Sequence, residues 1–147
     1  MHDRIFAAGG DHIPRTWRSF ADQTGIDAVL HMRPEHPAAF LGPPPAVFLW
    51  LDVEDESQVE MQERWLTGRF LETMLSQGRR VLLHSSLGRH RTRWVFVAFG
   101  IYSGRSVRAV LRQAAERPWL SPYHTDEAAW KDFAEFVHNR RENMRFN

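Results

Sequence analysis

The sequence predicts an α/β fold: a mostly parallel central sheet flanked by helices, in one domain spanning residues 1–147. Short apolar runs alternate with helical segments, as strands joined by helical crossovers require. A chain of 147 residues is long enough to bury its own core. No repeat or low-complexity segment divides it. The one candidate linker, "GPPPA" at residues 42–46, is too short to separate domains and reads as a stiff loop.

The elements follow in order. "RIFAA" is a short apolar run ended by Gly9 and Gly10, a first strand. "PRTWRSFADQTG" places Pro14 at a helix start and Gly25 beyond its end, with Trp17, Phe20 and Ala21 at helical spacing. "DAVLHM" reads as a buried strand and "AVFLWLDV" as the next, entering the acidic turn "DVEDES". Residues 57–77 predict a helix whose inward row is Leu66, Phe70 and Met74, with Leu71 and Leu75 beside it and Gly78 as its stop. "RRVLLH" is a strand. "TRWVFVAFGIYSG" is apolar nearly all round, as a buried helix is. Ser106 caps a further helix facing inward through Val107, Val110, Leu111 and Ala114. Thr125 caps the last, which uses Trp130, Phe133, Phe136 and Val137.

Composition narrows the function. Net charge is +1, so nothing global points to DNA. Basicity is local, with Arg89, His90, Arg91 and Arg93 within five positions. No apolar run is long enough for a membrane span. The first residues lack the pattern of a signal peptide, so the expected location is cytoplasmic. With no cysteine, disulfides, zinc–thiolate sites and thiol catalysis are excluded for this chain.

The chemistry concentrates in "VLLHSSLGRHRTRW", residues 81–94. An apolar strand stops at His84, a small polar loop follows, and a new apolar helix begins. In parallel sheets such strand ends are where ligands bind. Successive backbone amides feeding a helix N-terminus favour an anion. Gly88 lets the backbone curl around it, and Arg91 supplies a planar fork for two phosphate oxygens. The phosphate-binding set is therefore Ser86, Leu87, Gly88, Arg89, His90 and Arg91. The plainer alternative is a strand-to-helix turn with surface arginines.

"HSSLGRHRT" resembles the signature of the cysteine-dependent phosphatases, the dual-specificity and protein-tyrosine phosphatase superfamily. Their pattern is His-Cys, five residues, Arg, then Ser or Thr, commonly with Gly third among the five. Here His84, Ser85, Gly88, Arg91 and Thr92 hold those places, with serine in the cysteine's. The family also carries a general-acid aspartate on a turn about thirty residues upstream. "WLDVEDES" lies there; Asp55 best fits the acid's place and Asp52 is the alternative. A helix-capping role for either carboxylate stays open. The resemblance implies a dual-specificity-phosphatase-like fold. It places the nucleophile position at Ser85, the phosphate clamp at Arg91, the acid at Asp55, and hydroxyl assistance at Thr92. His84 supports the loop. No metal and no cofactor is expected. The implied partner is a phosphorylated ligand: a phosphoprotein, a phosphoinositide or another phosphate ester.

Serine breaks the family's scheme. A thiol with a pKa of about 8.5 is lowered to roughly 3.5–7.5 at a helix N-terminus, whereas an alcohol there stays protonated. Serine needs an adjacent base. His84 is adjacent in sequence, but neighbouring side chains on a strand point to opposite faces. The chain therefore reads as a native pseudophosphatase or as the substrate-trapping form of an active phosphatase. Rival readings are a cysteine-free rhodanese-like anion- or partner-binding module, a serine hydrolase lacking the G-x-S-x-G pattern, and a metal site from His84, His90 and the acidic turn. His2, His12, His31, His36, His124 and His138 have no ligand spacing.

Overall fold

The structure, a computed structural model, describes residues 3–9, 16–32, 40–51, 59–85, 90–116 and 127–146. Strands β1 (Ile5–Gly9), β2 (Ala28–His31), β3 (Val47–Trp50) and β4 (Val81–Ser85) form a sheet in the order β1-β4-β2-β3. Every pairing is parallel. Helices α1 (Trp17–Thr24), α2 (Met61–Ser76), α3 (His90–Tyr102), α4 (Val107–Ala115) and α5 (Glu127–Arg145) cover it. The expected fold class is the one observed.

Handedness decides which helix covers which face. The β1-to-β2 connection steps across the sheet in one direction, and the β3-to-β4 connection steps back in the other. Crossovers between parallel strands are right-handed, so α1 and α2 must lie on opposite faces. Alternation along the strands agrees. Val29 and Leu82 pack with Trp17 and Ile26 under α1. Ala28, Leu30, Val81 and Leu83 pack with residues of α2, α3, α4 and α5. At the far end of the sheet from the loop, Arg79 and Asp27 pair at 2.8 Å just before β4 and β2.

Local signals stop the helices as expected. Gly25 and Gly78 take left-handed φ values of 73° and 74° just past α1 and α2. Ser106 caps α4, its Oγ accepting from the Ala109 N–H at 3.2 Å. The Pro14 start of α1, residues 52–58 and Thr125 lie outside the described residues.

One expectation needs correcting. The buried stripe of α2 is Arg64, Trp65, Thr67, Gly68, Leu71 and Met74, and Leu66 stands 42% exposed. The helix is turned toward its small residues because α3 crosses close there. A Cβ built on Gly68 would lie 2.3 Å from the Tyr102 ring. Among the described residues, no helix is long and apolar enough to cross a membrane.

Candidate phosphate-binding site

β4 is central, with β1 on one side and β2 on the other. Its neighbour β1 leaves the sheet toward α1 on one face, while β4 leaves toward α3 on the other. Adjacent strands whose exits diverge open a crevice at their carboxyl ends. Gly9 and Ser85 are register partners at those ends.

Ser85 closes β4 and is 2% exposed. It shares the alternation of Val81 and Leu83, so its side chain belongs to the face carrying α2 to α5. His84, also 2% exposed, faces the other way and meets His31 of β2. Strand alternation thus sets the two side chains on opposite faces, and His84 is not placed to deprotonate Ser85.

Helix α3 begins at His90, five residues beyond Ser85, so its N-terminal amides and dipole lie just past the end of β4. Thr92, in the first turn, is fully buried, and its Oγ1 has no hydrogen-bond partner among the described residues. Ser86, Leu87, Gly88 and Arg89 lie outside the described residues, as do the side chains of His90 and Arg91 and both candidate acids, Asp55 and Asp52. Ser85 and His84 thus stand at the end of β4, and Thr92 in the first turn of the helix that follows.

Two further buried polar residues were not singled out from the sequence. His31 stands directly opposite His84 in the β2–β4 register, their Nδ1 atoms 3.1 Å apart. Its signal was a histidine ending an apolar strand, as His84 ends β4. Arg64, in the first turn of α2, is 1% exposed. It lies 4.4 Å over the Trp130 ring and donates from Nη1 to the Ala129 carbonyl at 3.4 Å, while its Nε has no partner among the described residues. Burial lowers its pKa from the ordinary guanidinium value. A separate cavity of about 290 Å³ runs along α3, lined mainly by Ile5, Leu71, Leu83, Val95 and Phe99. Its lining is mainly apolar and also includes Ser103, Arg105 and Gln113.

No protein-family profile and no curated protein sequence matches the chain. Solved structures do. Human DUSP28 superimposes with a TM-score of 0.71 at 16% identity, covering 95% of this chain and 96% of its own. PTPMT1 in complex with PI(5)P gives 0.72 at 20% identity, covering 95% and 96%. A mouse putative dual-specificity phosphatase complexed with zinc tungstate gives 0.69 at 17% identity, covering 95% and 87%. Near-complete coverage in both directions at such low identity is a likeness of architecture, and it agrees with the parallel four-stranded sheet and its helices. The chain has the dual-specificity phosphatase fold.

Proposed function

We propose that the chain binds phosphate esters in the loop of residues 84–92 and, with Ser85 in the nucleophile position, turns them over at a negligible rate. The carrying observation is the placement of Ser85: buried, at the carboxyl end of the central strand, facing the helices and just ahead of the α3 N-terminus. An anion held there meets the helix dipole. The bound PI(5)P and tungstate of two structures sharing the fold support a phosphate-like ligand. The same likeness favours this reading over a rhodanese-like module.

In the proposed site the backbone amides of residues 86–91 and the Arg91 guanidinium hold the phosphoryl oxygens. Asp55 stands as proton donor to a leaving oxygen, and Thr92 as a hydroxyl near the Ser85 side chain. The missing part is an ionisable nucleophile, since a serine hydroxyl without a base remains protonated.

Ser85→Cys tests this. Hydrolysis of para-nitrophenyl phosphate should rise from background to a readily measured rate. Asp55→Asn in that background should then lower it by roughly 10²–10⁴-fold. Robust turnover by the unchanged chain that vanishes in Ser85→Ala would overturn the impaired-site reading. A folded Ser85→Cys protein that neither turns over nor binds phosphate would overturn the phosphatase reading itself.

A further inference from the structure

We propose that His31 is a positioning residue for the phosphate loop and acts through His84; the role rests on the phosphate-loop reading above. The two residues are register partners on adjacent parallel strands, so their side chains stand side by side on the α1 face. Both are 2% exposed. Their rings stack at 5.1 Å with 20° between planes, and the Nδ1 atoms approach to 3.1 Å. Phe48 and Trp50 of β3 flank His31 on its other side, with ring centroids 5.8 and 6.0 Å away.

A neutral imidazole carries one N–H. The Nδ1–Nδ1 contact is a hydrogen bond only when one Nδ1 bears the hydrogen and the other is bare. The ring with the bare Nδ1 then carries its proton on Nε2, and the donor ring has a bare Nε2. The rings therefore hold opposite tautomers, and neither can change without the other. A hydrogen bond to one nitrogen is what fixes the tautomer and orientation of a histidine in a working site. His84 leads into the loop through Ser85 alone. With its ring held by His31, and His31 held by the aromatic pair of β3, the loop leaves the sheet from a fixed post.

The test combines imidazole ¹⁵N spectra with calorimetric titration of inorganic phosphate into the full chain. The spectra should show one ring protonated at Nδ1 and the other at Nε2. His31→Phe keeps a stacked ring but removes Nδ1, and should weaken phosphate binding roughly fivefold, the worth of one net hydrogen bond. His31→Asn, whose amide can still reach Nδ1, should restore affinity to within about twofold. In a His84→Phe background, His31→Phe should cost nothing further, because its path to the loop is already cut. Both rings in the same tautomer, or an equal loss from His31→Phe with and without His84, would overturn the role. So would a chain that binds phosphate and is indifferent to His31→Phe, which leaves the loop reading intact. An unchanged chain that binds no phosphate removes the loop reading and this role together.

Discussion

On the α1 face of the sheet, two buried histidines meet through their Nδ1 atoms; on the face carrying α2 to α5, several buried polar side-chain atoms have no such partner among the described residues. His31 and His84 share a hydrogen bond and an aromatic stack under α1. Across the sheet, Arg64 Nε, Thr92 Oγ1 and Trp94 Nε1 are buried without hydrogen-bond partners among the described residues. Leaving such a group unsatisfied costs about 1–3 kcal/mol. These atoms belong to the N-terminal halves of α2 and α3, on the face that strand alternation assigns to Ser85. The difference separates two kinds of polar burial. One is a contact between two side chains of the protein and holds position. The other leaves polar atoms of α2 and α3 unsatisfied within the described residues, and the fold tolerates its cost.

The faces also differ in what holds them. Among the described residues a single helix covers the first, and Trp17 is the buried residue of α1. Trp17→Ala should therefore be the most damaging change considered, costing about 3–5 kcal/mol in urea unfolding. A loss below about 1 kcal/mol would show that the α1 face is secured elsewhere. On the other face, Gly68→Ala forces a methyl group into the Tyr102 ring, which lies 2.3 Å from the built Cβ. Overpacking of about 1–3 kcal/mol should outweigh the gain of up to about 1 kcal/mol in helix propensity. A rise in thermal stability would mean that α2 and α3 have room between them.

Thr92→Val sharpens the contrast by its sign. It removes an unsatisfied hydroxyl at nearly constant volume, so it should stabilise the fold by about 1 kcal/mol. In the Ser85→Cys background the same change should lower turnover. A destabilised Thr92→Val protein would show that the hydroxyl is satisfied in solution.

The smallest effect concerns Tyr102, whose hydroxyl donates to Glu72 at 3.3 Å. Burial first, then the Glu72 charge, raises its pKa, while Arg141 opposes them. The phenol is thus held protonated in the folded chain at pH values where the unfolded chain has lost its proton. Its contribution is complete below the ordinary tyrosine value of about 10 and is lost as pH rises from there through the higher folded value. Tyr102→Phe should flatten the alkaline decline of thermal stability. An unchanged decline would assign it to other groups.

The order of elements was legible in the sequence because period and punctuation are local. Apolar runs such as "VLLH" and stops such as Gly25 and Gly78 act within a turn of themselves. The junction at Ser85 was legible for the same reason: a strand, a glycine-bearing loop and a helix start are contiguous. So was the opposed orientation of His84 and Ser85, which needs only the alternation of a strand. The inward face of α2 was misjudged because hydrophobic size pointed to Leu66, while the close crossing of α3 selected Gly68 and Thr67. A close approach belongs to two helices at once and leaves no mark on either alone.

What the sequence by itself determined was the set of strands and helices and the junction that carries Ser85, because each rests on residues near one another in the chain. Tertiary structure alone decided the order β1-β4-β2-β3, and with it the neighbours of β4. His31 and His84 are 53 positions apart, and each merely ends an apolar run. They become partners because two right-handed crossovers running in opposite directions bring β4 in beside β2.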